Sequence, residues 1–318
     1  MGVMRIGHVS LRVTGDIEKC RRHYEKMLGL YETHRDADGT TYYKCWDEWD
    51  KYSVQITPAK EPGANHVAYK VEKDSDLDMY AKRITEYGVK VEHLKPGEIP
   101  FVGRAIRFVL PNTTKMVLYA EKEFVGKNVG VHDPDPWPDD IHGCGAMHLD
   151  HTLLMCELDP VRGVNRVAEC TDFAMKCLDF YMTERLLGGP DKKVLGLSFL
   201  SCSSKPHDLA FVGGNRNGFH HMAFYLESWE DVGHAGDVMA KHRTRIDQGP
   251  TRHGITRGRT IYFFDPAGNR NETFAGLGYF ANRDMPIIEW SEENIGRAIF
   301  YPTGVINDAF RDEYTAAS

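Results

Sequence analysis

The 318-residue sequence lacks the patterns typical of membrane-spanning and disulfide-stabilised proteins. No apolar run approaches the roughly 20 residues needed to cross a bilayer, and the opening MGVMRIGHVSL has no apolar core of a signal peptide. Gly2 suits a myristoylation signal, but Ile6 stands where that signal requires Ser or Thr. The seven cysteines are odd in number, scattered and without a C-x-x-C pair. They predict reduced thiols in a cytoplasm and no zinc-site spacing.

An excess of positive charge is also missing. The formal net charge of −7 argues against a nucleic-acid surface and against binding to anionic membranes. What the chain does have is 42% hydrophobic and 27% charged residues, which is typical of a globular protein with sizeable cores. Its length is enough for two ordinary domains.

Internal repetition organises the chain, and such repetition determines the architecture. Each repeated stretch combines a strand pattern with a helix pattern or with further strands. The corresponding pairs are 7–30 with 149–186, 65–92 with 219–247, and 103–120 with 258–275. We therefore predict an α+β fold in two halves, each half a pair of units made of a strand, a helix and further strands.

The repeats and the composition between them predict the domain boundaries. The first half covers 1–130, a linker rich in Pro and Asp covers 131–145, and the second half covers 146–280. The tail, 281–318, has no counterpart in the first half, so we expect it to pack over a feature of the second. Within the tail, Ser291 followed by acidic residues predicts a helix start.

The stretch TRHGITRGRTIYFFDPAGNRNETF (251–274) predicts a β-hairpin. Pro266 and Gly268 favour a tight turn between two strands, and this turn places Glu272 opposite Tyr262 on the same face. A carboxylate inside an aromatic hairpin is costly unless a cation lies in front of it. Two interpretations are open on this stretch alone: an ion pair with Arg270 or Arg257, or a metal ligand.

Comparison of the two halves favours the metal ligand. His8 corresponds to His151 and His66 corresponds to His221, but Val117 stands in the first half where the second has Glu272. One copy of a duplicated scaffold therefore carries two histidines and a carboxylate on corresponding strands.

We predict a metal site made of His151, His221 and Glu272, and ordinary strand roles for His8 and His66. The first half's other histidines are expected at the solvated surface; they are His23, His34 and His93. Two imidazoles and one carboxylate leave coordination positions open, which suits non-haem Fe(II) and O₂.

A long signature in the same stretch resembles that of the type I extradiol ring-cleavage dioxygenases of the vicinal oxygen chelate superfamily. It runs Thr251-x-His253, then Ile261-Tyr262-x-x-Asp265-Pro266-x-Gly268-x-x-x-Glu272. GHVSLRV, GFHHMAFYLESWED, KPHDLAF and the tail IGRAIFY extend the likeness to the catechol 2,3-dioxygenases over almost the whole chain. The resemblance implies paired βαβββ modules, a metal-free first half, a catalytic second half and a homotetramer.

The resemblance also implies roles for individual residues. Fe(II) would be held by His151, His221 and Glu272, and not by His220, which strand alternation places on the opposite face as a packed or rim residue. His207 matches the family's acid–base histidine, while His253 and Tyr262 match residues that contact the oxygen species and the catecholate. Pocket-lining positions are matched by three residues, Thr256, Ile299 and Phe310. The implied reaction is extradiol cleavage of catechol or an alkylcatechol by O₂, giving a 2-hydroxymuconic semialdehyde-type product.

Other functions share these features. One is extradiol cleavage of a bicyclic, biphenyl-type diol. Another is a non-oxidative metal-dependent enzyme of the superfamily, such as a lactoylglutathione lyase-like isomerase, but no second carboxylate accompanies His8 or His66. A binding module of the superfamily would be much shorter and would not need His207, His253 and Tyr262 around the triad.

Overall fold

The computed structural model of the chain describes residues 2–317. Among these residues no helix combines the length and the apolarity needed to cross a bilayer. The first half contains eight strands and two α-helices: β1 (Val3–Val13), α1 (Ile17–Arg22), β2 (Tyr31–Arg35), β3 (Thr41–Lys44), β4 (Val54–Pro58), β5 (Gly63–Val71), α2 (Asp74–Glu86), β6 (Glu92–Leu94), β7 (Ala105–Val109) and β8 (Lys115–Tyr119).

The second half and the tail contribute the remaining elements. They are β9 (His148–Asp159), β10 (Val164–Asn165), α3 (Arg166–Cys177), β11 (Tyr181–Gly188), β12 (Val194–Ser201), β13 (Leu209–Gly214), β14 (Gly218–Leu226), α4 (Trp229–Lys241), β15 (Ile246–Arg252), β16 (Arg259–Phe264), β17 (Arg270–Ala275), β18 (Ile288–Ser291), α5 (Ile295–Ile299) and α6 (Asp308–Asp312).

Two mixed sheets with the same internal order confirm the predicted duplication. The first runs β2-β3-β4-β1-β5-β8-β7-β6, and the second runs β15-β16-β17-β14-β9-β13-β12-β11-β18, with the short β10 pairing β9. Each half is two βαβββ modules whose first strands, β1 with β5 or β9 with β14, pair antiparallel at the centre of the sheet. The histidines that the repeat aligns therefore lie on the central strand pair of each sheet.

The hairpin that carries Glu272 has the predicted register. β16 and β17 pair antiparallel with Tyr262 opposite Glu272, and in the first half Arg107 lies opposite Val117. Asp265 closes the turn by accepting hydrogen bonds from the backbone N–H groups of Ala267 and Asn269. Gly268 has φ +95°, a conformation that disfavours a side chain. Local turn chemistry is thus sufficient to set which residues face each other.

The helix pattern in the repeated stretch 7–30, which covers residues 16–30, forms an α-helix only in part. It is α-helical only to Arg22, after which His23–Met27 form a wider π-helical turn. The surface assignment of His23 is wrong, because this residue is buried and its Nε2 lies 3.0 Å from Nδ2 of Asn271 in the second half. A contact with a distant strand is not visible in a helix pattern. His34 is half-buried on β2, and His93 is exposed on β6.

The tail begins a helix at the predicted residue, but without the expected cap. Ser291 ends β18, which pairs parallel with β11 at the edge of the second sheet, and its side chain makes no capping hydrogen bond. It is followed by a 3₁₀ turn, Glu292–Asn294, that leads directly into α5. The tail lies against the second half, where α6 places Phe310 against Tyr262, with ring centroids 4.8 Å apart.

Candidate functional site

Three donor groups of the second half converge at the centre of its sheet. His151 on β9, His221 on β14 and Glu272 on β17 are all buried, and their ligand atoms lie within 4.8 Å of one another. Oε2 of Glu272 is 3.2 Å from Nε2 of His151 and 3.1 Å from Nε2 of His221. The other carboxylate oxygen, Oε1, accepts a 2.5 Å hydrogen bond from Thr260. Two imidazole nitrogens and one carboxylate oxygen facing a common point fit a divalent metal with open positions.

Both histidines of the triad have their outer nitrogen engaged by the preceding residue. Nδ1 of His151 lies 2.7 Å from Asp150 Oδ2, and Nδ1 of His221 lies 2.7 Å from Nδ1 of His220. The pairing of β9 with β14 skips Asp150 and skips His220, so each is the extra residue of a β-bulge. A bulge breaks the strict alternation of a strand, which lets adjacent side chains meet. The Nε2 atoms of both histidines are left facing Glu272.

Charge at the site concentrates on Glu272. Burial opposes its ionisation, but hydrogen bonds with His151 and His221 hold the pKa of Glu272 well below its usual range. Burial works against protonation of His151 too, yet its hydrogen bonds to Asp150 and Glu272 raise the pKa of His151 to about 9. Burial lowers the pKa of His221 to about 4. The three groups therefore form one buried, hydrogen-bonded cluster around an ionised carboxylate.

His253 and Tyr262 form a pair beside the carboxylate. Nδ1 of His253 bonds the carbonyl oxygen of Ile299, and its Nε2 lies 2.9 Å from the Tyr262 hydroxyl. A carbonyl can only accept, so Nδ1 donates, Nε2 is the acceptor and Tyr262 donates its proton. Nε2 of His253 is also 3.7 Å from Glu272 Oε1.

His207 lies just before β13 and packs against His151 with its ring tilted. Its ring centroid is 4.0 Å from that of His151 and 4.7 Å from that of Phe199. Across residues 2–317 its side chain has no hydrogen-bond partner in the protein, although it is buried and lines the cavity. Burial, followed by the proximity of His151, lowers the pKa of His207 well below its ordinary value. The ring therefore offers a neutral imidazole to the cavity.

A cavity of about 550 Å³ opens beside the triad. Its wall is mostly apolar and comes from the second sheet and the tail. Besides the polar residues named above, it includes Leu153, Met155, Leu197, Phe199, Val212, Ile255, Phe274, Ile295, Ile299, Val305, Ile306 and Phe310. Thr256 also lines it, held in a left-handed conformation (φ +56°) with its N–H donating to Glu184 at 2.7 Å. The three positions expected in the pocket, Thr256, Ile299 and Phe310, are thus all at this cavity.

The corresponding place in the first half is filled differently. Nε2 of His8 lies 2.9 Å from Nε2 of His66, and Nδ1 of His8 lies 2.9 Å from the ammonium group of the buried Lys122. Val117 supplies no ligand there, and within residues 2–317 the triad is the one group of His, Cys, Asp and Glu side chains spaced to hold a metal. The two histidines of the first half are engaged with each other and with Lys122.

Replacing His8 with Ala tests whether that half takes part in metal binding. We expect metal content and turnover per bound metal to stay near wild type. The free energy of unfolding should fall by about 1–3 kcal/mol, because Lys122 loses a buried partner. Metal analysis, steady-state rates and chemical unfolding on one preparation provide the measurement. Loss of metal from a folded His8→Ala variant would contradict a passive first half.

Four polar residues near the triad were not assigned a supporting role from the sequence. Asp150 and His220 contact the metal-facing histidines only because of the bulges, for which the sequence carries no clear signal. Lys205 forms ion pairs with Asp150 Oδ1 and Asp208 Oδ1, each at 3.0 Å, and so holds the carboxylate that contacts His151. Thr260 could have been found, because strand alternation places it on the same face as Tyr262.

Two family models match the chain. A catechol 2,3-dioxygenase-like N-terminal domain matches residues 64–123, and the glyoxalase/bleomycin resistance protein/dioxygenase superfamily matches residues 148–273. A metapyrocatechase of Pseudomonas sp. (strain CF600) is 40% identical over 311 residues, or 97% of each chain. A manganese-dependent 2,3-dihydroxybiphenyl 1,2-dioxygenase of Geobacillus genomosp. 3 is 26% identical, covering 94% of this chain and 93% of the relative.

Solved structures agree with these relatives. The 2,3-dioxygenase LapB from Pseudomonas sp. KL28 superposes with a TM-score of 0.86 at 40% identity, covering 92% of this chain and 99% of the other. Homoprotocatechuate 2,3-dioxygenase from Brevibacterium fuscum superposes with a TM-score of 0.84 at 22% identity, covering 99% and 93%. The second likeness concerns the fold alone.

Proposed function

The chain belongs to the type I extradiol ring-cleavage dioxygenases of the vicinal oxygen chelate superfamily, and on that premise we propose that it cleaves catechol or an alkylcatechol with O₂. Cleavage occurs beside the two hydroxyl groups, and both oxygen atoms of O₂ enter a 2-hydroxymuconic semialdehyde-type product. The observation that carries this proposal is the convergence of two imidazoles and one carboxylate at the wall of a buried, largely apolar cavity.

Fe(II) is the metal we assign to His151, His221 and Glu272. The donor set supports it, since two neutral imidazoles and a carboxylate provide one negative charge and leave positions open. Bound there, Fe(II) would be chelated by the two catechol oxygens, would lower their pKa and would bring O₂ to the same centre. A manganese-dependent enzyme among the relatives makes Mn(II) the competing metal. Metal analysis together with O₂ uptake after anaerobic reconstitution with each ion decides between them.

The pair His253–Tyr262 is assigned to the substrate oxygens. In the tautomer that its contacts imply, His253 carries its proton on Nδ1 and a lone pair on Nε2, which can accept a proton that the catechol releases. The Tyr262 hydroxyl is then available to donate a hydrogen bond to the catecholate. Because His253 is fixed through Nδ1 to the Ile299 carbonyl, the pair holds this orientation without help from the substrate.

His207, whose ring lies beside that of His151, is assigned to proton transfer. Its nitrogens are not engaged by the protein, so they are available to the reactants in the cavity. As a neutral imidazole, His207 can accept a proton from the substrate side and deliver it when the oxygen–oxygen bond breaks, which makes that bond easier to cleave. In this scheme His253 and Tyr262 exchange protons with the substrate oxygens, and His207 transfers a proton to the oxygen that is being cleaved.

The apolar wall supports an uncharged ring substituent. A cavity of about 150 Å³ is enough to hold benzene, so the cavity of about 550 Å³ exceeds what an unsubstituted ring fills. Ile299 and Phe310 come from the tail and would cover the substituent, and their apolar surface excludes water from the reacting oxygens. An acidic side chain on the substrate would lose hydration in this environment, and Arg311, which also lines the cavity, is already paired with Asp308 and Asp312.

A substrate panel tests this preference. We expect kcat/KM for alkylcatechols to equal or exceed that for catechol, and 3,4-dihydroxyphenylacetate to be the poorest substrate because its carboxylate must be desolvated. The yellow ring-cleavage product is followed by absorbance together with O₂ consumption. A clear preference for 2,3-dihydroxybiphenyl would favour the bicyclic diol, and metal-dependent turnover without O₂ uptake would favour a non-oxidative enzyme.

The proposal also covers the cellular location and the oligomeric state of the enzyme. All seven cysteines are free, which supports a cytoplasmic location. The homotetramer implied by the resemblance stays a prediction, and light scattering of the purified chain measures it.

A further inference from the structure

His220 connects a triad histidine to the C-terminal tail. Its Nδ1 lies 2.7 Å from Nδ1 of His221, and its Nε2 lies 2.8 Å from the carbonyl oxygen of Phe310 in α6. The side chain is 3% exposed, and its ring centroid is 4.8 Å from that of Phe310. Both nitrogens of His220 are therefore engaged, one toward the metal site and one toward the tail.

The two contacts allow only one arrangement of protons that leaves His221 able to bind a metal. The Phe310 carbonyl can only accept, so Nε2 of His220 donates. With its single proton on Nε2, His220 has a bare Nδ1, which accepts from Nδ1 of His221. That proton on Nδ1 leaves Nε2 of His221 with a free lone pair, and Nε2 is the atom that faces Glu272.

The first half shows what the same scaffold does without this connection. Its central pair β1–β5 skips Gly7 and Asn65, just as β9–β14 skips Asp150 and His220. The bulges are therefore duplicated, but the residues in them are not. In the first half Asn65 contacts Arg12 and Ser10, and His66 is held by His8 instead. Only the second half, which carries the triad, has a histidine in its second bulge; the first half has Asn65 there.

We propose that His220 is a positioning residue for metal binding. It fixes His221 in the tautomer that leaves Nε2 free, and it joins that tautomer to the tail through the Phe310 carbonyl. The proposal rests on the proposed function, in which His221 is a metal ligand. Phe310 also lines the cavity. One residue of the tail therefore both covers the substrate and holds His220, which in turn orients the metal ligand His221.

Two amide substitutions separate the two contacts. The amide of Asn ends at about the depth of Nδ1 in histidine, so His220→Asn can still accept from His221 but cannot reach Phe310. The amide of Gln ends at about the depth of Nε2, so His220→Gln can still donate to Phe310 but removes the acceptor for His221. A purely structural histidine would not distinguish the two variants in this way.

Metal affinity is measured by titrating the metal-free protein with Co(II) and following its d–d absorption. We expect His220→Gln to weaken Co(II) binding roughly 10–100-fold, as is typical for loss of an outer-shell partner, with His220→Asn close to wild type. In the Fe(II)-reconstituted enzyme the KM for catechol should rise in His220→Asn, which frees Phe310, and should change less in His220→Gln. Thermal midpoints of the metal-free variants are recorded alongside.

His66→Gln is the matched control, because it makes the same substitution beside the corresponding bulge of the first half and should leave Co(II) affinity unchanged. Equal losses of affinity in His220→Asn and His220→Gln that follow their thermal midpoints would overturn the positioning role. Wild-type affinity in both would overturn it as well. Failure of the proposed function looks different: the wild-type chain would then bind no Co(II), or would bind it regardless of Glu272.

Discussion

Replacing Glu272 with Ala is expected to abolish iron retention while the fold survives. The carboxylate is the one anionic donor of the triad, so its loss leaves two neutral imidazoles facing the cavity. The loss of affinity should exceed the roughly 10–100-fold that removal of an outer-shell partner costs. Iron content after anaerobic reconstitution and desalting is the measurement. Full iron occupancy in a folded Glu272→Ala variant would refute the assignment of this ligand.

Two further variants separate the metal from the fold. Glu272→Gln keeps an acceptor for Thr260 and should lose iron without loss of thermal stability. Glu184 is the matched control, since it too is a buried glutamate, accepting from Trp290, Tyr279 and the Thr256 N–H. Glu184→Gln should retain iron but lower the thermal midpoint, because three donors lose a charged acceptor. Loss of iron in both variants would mean that stability, and not ligation, governs occupancy.

His207→Phe should retain iron, bind catechol and turn over slowly. General acid–base assistance is typically worth about 10²–10⁴ in rate, so kcat is expected to fall by that order. Phenylalanine keeps the ring contacts with His151 and Phe199, which preserves the packing while removing both nitrogens. Measuring kcat, iron content, anaerobic catechol binding and thermal midpoint on one preparation tests this result.

The competing role for His207 is to anchor the loop after Lys205 and Pro206. That loop is held instead by Lys205, which bonds Asp150 and Asp208, and by the Pro206 carbonyl, which accepts from Thr183. If His207 were an anchor, the variant would lose stability and keep its kcat per metallated enzyme. An unaltered kcat would therefore exclude the proton-transfer role and make His253 the better candidate.

Short-range patterns were enough for the parts of the structure that repeat or turn. The duplication and the paired units follow from internal repetition, and the register of Tyr262 against Glu272 follows from strand alternation and the Asp265–Asn269 turn. The comparison of Glu272 with Val117 is enough, from the sequence alone, to favour one half for metal binding. These features depend on residues close in sequence or on equivalent positions of a repeat. A single amino-acid sequence is therefore enough to predict them.

Only the tertiary structure decided which residues support the site. Alternation along β14 separates His220 from His221, yet the bulge brings their nitrogens to 2.7 Å, and Asp150 meets His151 in the same way. Whether a strand bulges depends on its pairing with a strand far away in sequence, which periodicity does not report. The burial of His23 against Asn271 and the closure of the cavity by the tail likewise come from contacts between distant segments. The amino-acid sequence by itself determined the fold and the candidate metal ligands, whereas the packing of distant strands and the tail decided how those ligands are oriented and enclosed.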